Sequence, residues 1–353
     1  MTALRDALDL QGTLGPGASE LGELLNELLK ADGGLVERIA ALRPIKPPRV
    51  YRLEFVSGEA PWRSVVVKRL DSAVAPRARL AAEQWLPALG LADGCARLLG
   101  VAAEARGDVV WHVYEDLGDQ TIAARPDPDR VAAAVDLVAR LHTRGAGHAI
   151  LPDVRRYCSD FGIGYFTTNL RDGIAALEAL KTSGIVAPGE FAGLAALLLT
   201  RLHGLVADVE RRASVFARAG GPETLLHGDL WTINAFVVAT ASGLRACLVD
   251  WDRVGVGPFA YDLSTLLLRF PVEERTAVLD VYRRAVARAG WSLPRAVDLK
   301  LMCETAELAR YANRVIWPAL ALVRDRAAWG FSELADVERW FEALETDGFL
   351  TKV

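Results

Sequence analysis

The sequence predicts an α+β protein with a small antiparallel β region, a larger and mostly α-helical region after it, and an N-terminal helical extension. Three observations carry this. Runs at 50–56 (VYRLEFV) and 64–70 (SVVVKRL) are rich in β-branched residues and alternate as strands do. From residue 129 onward the apolar residues recur every three or four positions instead, the helical period. The 353 residues are 52% hydrophobic and 24% charged, enough for a large core and about two domains of ordinary size.

Taken in order, residues 3–42 read as helical, with Leu21, Leu24, Leu25, Leu28 and Leu29 on one face. Gly15-Pro16-Gly17 and Gly33-Gly34 interrupt that reading, and Ser19 is placed to cap the second segment. Pro44, Pro47 and Pro48 close the region. The division that follows is an extension over 1–45, a β region over 46–117 and a helical region over 118–353. Two strands flank a turn at 57–62, and Lys68 sits inward on the second between Val67 and Arg69. A helix beginning near Pro76 carries Glu83. Residues 97–103 and 108–114 form a hairpin across Ala105-Arg106-Gly107, running into Glu115-Asp116-Leu117-Gly118. Beyond the breakers Pro126 and Pro128, helices are predicted over 129–143, 163–180, 191–219, 262–268, 273–289 and 301–322.

The chemistry concentrates at 225–252, LLHGDLWTINAFVVATASGLRACLVDWD. Asp229 follows His227-Gly228, Asn234 comes five residues later, and Asp250-Trp251-Asp252 lies across a short apolar hairpin. An Asp that accepts a hydroxyl proton, with an Asn and an Asp that hold Mg²⁺, makes a phosphoryl-transfer centre. The order H-x-D-x-x-x-x-N followed by a metal Asp is that of kinase catalytic loops. The hairpin would return Asp250 beside Asn234, so that two oxygen ligands meet one hard cation. A loop whose Asp and Asn merely cap turns leaves the agreement between spacing and hairpin unexplained.

HGDLWTIN, LVDWD and the later Gly257-Pro258-Phe259-Ala260-Tyr261-Asp262-Leu263 resemble the aminoglycoside phosphotransferase and choline kinase superfamily, over roughly residues 50–350. The resemblance implies a two-lobed, protein-kinase-like fold and transfer of the terminal phosphate of ATP or GTP to a small-molecule hydroxyl. It makes Asp229 the base and gives Mg²⁺ to Asn234 and Asp250, with Asp252 secondary. It places Lys68 on the triphosphate with Glu83 as its ion-pair partner, and the nucleobase against the backbone near Glu115 to Leu117. Asp262 would hydrogen-bond the catalytic-loop backbone, and His142 would be structural. One departure stands out. Residues 42–50 (LRPIKPPRV), where kinases carry a glycine-rich phosphate loop, hold no glycine and three prolines, which lack N–H donors. Arg43, Lys46 or Arg49 would then reach the phosphates through side chains.

Composition bounds the rest. A net charge of −4 argues against a nucleic-acid partner held by a broad basic surface. The four cysteines lie tens of residues apart without a CxxC, as free thiols of a reducing compartment do. No window holds eighteen uninterrupted apolar residues and the N-terminus lacks an apolar signal, so a cytoplasmic enzyme without a membrane partner is expected. A nucleotide-binding pseudoenzyme would lack Lys68, Asp229, Asn234 or Asp250. A protein kinase would need an activation segment ending in APE after Asp250. Small-molecule kinases remain, for an antibiotic of aminoglycoside or nucleoside type or for a metabolic sugar or amino-alcohol. Glu304, Glu307, Tyr311 and Arg314 share a stripe on the last predicted helix, with Arg310 and Asn313 near it. Mixed donors and acceptors suit a polyhydroxylated acceptor better than choline, which calls for an aromatic cage.

Overall fold

The computed structural model describes residues 14–31, 36–46, 48–57 and 64–349. The chain divides into two compact units, Met1–Ala134 with Ile233–Val254, and Val135–Thr232 with Gly255–Val353.

The first unit is built on helix α1 (Ala18–Ala31) and strands β1 (Val36–Lys46), β2 (Val50–Ser57), β3 (Ser64–Asp71), β4 (Leu98–Ala103) and β5 (Val109–Glu115). The strands form one antiparallel sheet in the order β1-β2-β3-β5-β4. Leu21, Leu25 and Leu29 of α1 enter one apolar core with Leu53, Val65, Val67, Trp111 and Val113 of the sheet. Burying each leucine contributes roughly 2 kcal/mol, so the extension is an integral part of this unit. At its start Gly17 takes φ 77°, where an added Cβ would meet the Trp111 ring at 2.9 Å. Trp111 Nε1 donates to the Pro16 carbonyl at 2.9 Å.

One correction follows. Residues 36–42, expected to be helical, form edge strand β1. Its ladder to β2 shifts register between Val36 and Arg38, Ile39 and Ala41, and Pro44 and Lys46. Such bulges break the two-residue alternation by which a strand is recognised, and an edge position tolerates Pro44. The turn expected over 57–62 falls largely outside the described residues, as do 3–13 and 32–35 of the predicted extension.

The second unit is mostly helical. Its long helix Ala296–Asp325 shares a core with Ile163–Thr182 and with Trp329–Asp347, a helix that went unpredicted together with Leu151–Tyr157. The single helix expected over 191–219 is two, Leu194–Ala207 and Val209–Ala219. They part at Asp208, whose carboxylate takes Arg211 at 2.5 Å and Arg212 at 2.9 Å. Among the described residues one segment, Gly189–Ala207, passes the length and composition test for a membrane span. It is not one continuous helix, since Gly193 at φ 79° separates the turn Gly189–Phe191 from the helix, and Leu198, Leu199 and Leu202 lie in the core.

Strand β5 carries a buried histidine beside Lys68. His112 pairs with Lys68 across the ladder, its Nδ1 lies 2.9 Å from the Tyr114 hydroxyl, and its Nε2 is buried without a partner. Burial first, then the charges of Lys68 and Arg79, lower its pKa to about 4. Above pH 6.5 neither folded nor unfolded chain protonates it. As pH falls toward 4 only the unfolded chain takes up the proton, so stability drops by about 3 kcal/mol at most. Denaturant midpoints measured over that range are expected to show this loss in the native chain and not in His112→Phe.

Candidate functional site

In the first unit the site grows from one hairpin, Ala235–Thr240 with Gly243–Leu248. Its strands pair from Thr240 with Gly243 down to Ala235 with Leu248, and beyond that rung the Val249 N–H donates to the Asn234 carbonyl at 2.9 Å. Asn234 and Asp250 therefore stand at one end of the hairpin, as the sequence suggested. Asp250 adopts φ 69°, ψ 54°, a left-handed conformation that non-glycine residues rarely take and Asp tolerates better than most. Strain of this kind persists where the surroundings enforce it, commonly at functional positions.

Lys68 reaches the same place from β3. Its Nζ lies 2.5 Å from Asp250 Oδ1 and 2.7 Å from Asp252 Oδ1, with the lysine side chain 12% exposed. Burial opposes the charge, but attraction to Asp250 and Asp252 outweighs it and holds the ammonium pKa above its ordinary value. Here a second correction is due. The ion pair expected between Lys68 and Glu83 does not form. Glu83 lies in the π-helical turn Ala81–Trp85, is largely exposed, and pairs with Arg79 one turn earlier at 2.7 Å. A local i,i+4 partner has won over a distant one.

A cleft of about 530 Å³ opens beside these groups. Its walls are apolar, with Val50, Val66, Ala82, Leu117, Phe236 and Leu248 among them, and Lys68, Asn234 and Asp250 lie at its polar end. Lys46, from the glycine-free turn, also lines it. The hinge candidates are both present. Glu115 ends β5, and its carboxylate accepts from Arg97 N and from Arg245 at 3.0 Å each. Leu117 lies past that last paired residue and is buried. Asp116 between them is tied to Arg52 at 2.7 Å and to Ser64 Oγ at 2.7 Å, which stiffens the crossing strand end. An apolar slot ending in an ammonium, a carboxylate and a carboxamide suits a flat ring with an anionic, cation-bearing tail.

The second unit holds the HGD loop. Strand Thr224–Leu226 pairs with Gly255–Gly257, where a Cβ on Gly255 would meet the Ser159 carbonyl at 2.4 Å. The loop then turns through Gly228 at φ 81°. Asp262, fully buried, accepts the His227 N–H at 2.6 Å and the Gly228 N–H at 2.8 Å. This is the contact that the family resemblance implied. His142 Nε2 lies 3.4 Å from the same carboxylate, and its Nδ1 is 2.8 Å from the Tyr282 hydroxyl, a bracing position. Burial alone would raise the Asp262 pKa, yet His142, His227 and the Gly228 amide bring it below the ordinary value. Asp262→Ala orphans two buried N–H donors at about 1–3 kcal/mol each. A lowered denaturant midpoint is the expected outcome, with a fall in kcat greater than any rise in nucleotide KM.

Asp229 itself accepts the Trp231 Nε1–H on Oδ1 at 2.9 Å. The Arg269 guanidinium stacks on Trp231 with its carbon 3.8 Å from the ring centroid. Neither contact was foreseen. The Trp two residues after Asp229 was the only available signal for the first, and nothing local announces Arg269. The late-helix stripe is corrected more sharply. Glu307 is fully buried and Arg310 and Tyr311 are nearly so. Glu307 Oε1 accepts from Arg310 at 2.7 Å, Ser264 at 3.0 Å and Thr265 at 3.1 Å, an internal brace instead of a ligand-facing row. Among the described residues no three His, Cys, Asp or Glu side chains group to hold a metal ion, and none of the four cysteines forms a disulfide.

The model of the family described as "Phosphotransferase enzyme family" matches residues 48–297. No curated protein matches the chain. Among solved structures, the chain resembles the GDP complex of wild-type aminoglycoside 2'-phosphotransferase-IIIa at 16% identity and TM-score 0.56, covering 93% of this chain and 98% of that one. It resembles a spectinomycin phosphotransferase in complex with ADP and spectinomycin at 12% identity and TM-score 0.57, covering 93% and 95%. A choline/ethanolamine kinase family protein from Mesorhizobium loti aligns at 16% identity and TM-score 0.51, covering 94% and 98%. At these identities the likeness concerns the fold, the kinase-like α+β arrangement that the motifs had implied.

Proposed function

The chain belongs to the phosphotransferase enzyme family, and on that premise we propose that it moves the terminal phosphate of ATP or GTP onto a hydroxyl of a small polyhydroxylated acceptor. The observation that carries the reading is the polar end of the apolar cleft, where Lys68, Asp250 and Asp252 meet within 2.7 Å beside Asn234. The nucleobase takes the apolar slot near Glu115 and Leu117, and Lys68 places a point charge on the phosphates. Asn234 and Asp250, with Asp252 assisting, offer hard oxygen donors of the kind that would hold Mg²⁺. Such an ion would supply charge neutralisation on the phosphates, which otherwise repel an incoming oxygen.

Asp229 is the base. The acceptor oxygen attacks the terminal phosphorus while the bond to the bridging oxygen breaks, and the nucleoside diphosphate leaves with that electron pair. The hydroxyl proton passes to the Asp229 carboxylate. Trp231 supports the role by fixing the carboxylate through Oδ1. The setting is cytoplasmic, where the free cysteines stay reduced. Lys46 takes the place of absent loop amides on the phosphates.

Mass spectrometry of aminoglycosides, nucleoside antibiotics, free sugars and choline incubated with enzyme, Mg²⁺ and either ATP or GTP tests this. A phosphorylated hydroxyl on a sugar-bearing compound is expected. Choline as the sole product would refute the acceptor class, and nucleotide turnover without any phosphorylated acceptor would refute the transfer.

A further inference from the structure

The surroundings of Asp229 within the second unit carry a statement about the charge of the acceptor. Arg269 follows the helix Ala260–Leu267, and its guanidinium carbon lies 3.8 Å from the centroid of the indole that hydrogen-bonds Asp229. Its Nε is buried and takes no partner, and among the described residues its guanidinium forms no ion pair. That is unusual company for a half-buried arginine, whose terminal N–H donors carry no ion pair. The nearest opposing charges, Glu307 and Asp229, form no ion pair with it. Glu307 is matched by Arg310, whose guanidinium stacks over Tyr261 at 4.4 Å, and Asp229 is held by Trp231.

We propose that Arg269 is a specificity-determining residue of the acceptor site, donating hydrogen bonds to oxygens of a neutral or anionic hydroxyl compound and repelling polycations. The inference rests on the phosphotransferase reading above and narrows its acceptor class. The cation–π contact with Trp231 restrains the side chain, so its donors meet a sugar hydroxyl or carboxylate at little cost in side-chain freedom. A ligand bearing several ammonium groups would meet a desolvated positive charge that it cannot neutralise.

The test compares neutral acceptors (free sugars and nucleosides), anionic ones (sugar acids) and polycationic ones (aminoglycosides), using the full chain with Mg²⁺ and nucleoside triphosphate. The neutral or anionic class is expected to have the higher kcat/KM. Arg269→Gln should raise its acceptor KM about ten- to hundred-fold, the worth of a charge-assisted hydrogen bond, and leave nucleotide KM unchanged. Arg269→Lys, which keeps charge and loses the planar fork, should still discriminate against polycations while binding the favoured acceptor more weakly. Should Arg269→Gln fail to fold, the Lys variant decides by that same split. A polycation as the preferred substrate, or an acceptor KM indifferent to both substitutions, overturns this inference and leaves the kinase reading standing. Transfer to no member of any class overturns the kinase reading and this inference with it.

Discussion

Asp229→Asn is expected to lower kcat by about 10²- to 10⁴-fold, the range in which a positioned general base contributes, with the fold and the nucleotide affinity retained. The asparagine keeps an oxygen for the Trp231 Nε1–H that Asp229 now accepts at 2.9 Å, so the loop has no reason to move. What it loses is the ability to take a proton. Steady-state kinetics together with titration of a non-hydrolysable triphosphate analogue would check both halves. A folded variant with near-native kcat would place the base elsewhere.

Asp250→Asn should be the other severe loss, and a larger one than Asp252→Asn. Both carboxylates bond Lys68, at 2.5 and 2.7 Å, so the ion pair does not separate them. Their places on the backbone do. Asp250 follows the last rung of the hairpin, next to Asn234, and sits in a left-handed conformation, whereas Asp252 lies in the following turn. Loss of a metal ligand removes several kcal/mol of charge stabilisation, roughly 10²- to 10³-fold in rate at about 1.4 kcal/mol per decade. Asn is the informative replacement because it tolerates φ 69°, whereas Ala would add strain of its own. Activity measured across Mg²⁺ concentrations separates weakened metal binding from a misplaced lysine. A deader Asp252→Asn would reverse the assignment.

Much of this was legible in the sequence, and for physical reasons. The hairpin 235–248 was readable because β-branched alternation and a glycine-ended turn are local signals. The loop motif was readable because its spacing is short. Where the reading failed, the deciding contact was distant or neutralised. Edge strand β1 hid behind its register shifts. Glu83 found Arg79 one turn away and left Lys68 to Asp250 and Asp252, which are remote in sequence. Glu307, with Arg310 near it, read as part of an acceptor-facing stripe, since helical period cannot tell an exposed pair of opposite charges from a buried one. Arg269 had no local signature, because its contact with Trp231 is made by the fold of the second unit alone.

The central claim is that the cleft of the first unit holds a metal–nucleotide complex by Lys68, Asn234 and Asp250. A crystal grown with Mn²⁺ and a non-hydrolysable triphosphate tests it most directly, because anomalous scattering locates the ion without assumption. The account predicts a manganese peak ligated by Asn234 and Asp250 oxygens, phosphates on Lys68 and the base against the backbone near Leu117. A nucleotide bound outside that cleft, or a manganese ion away from Asn234 and Asp250, would contradict it.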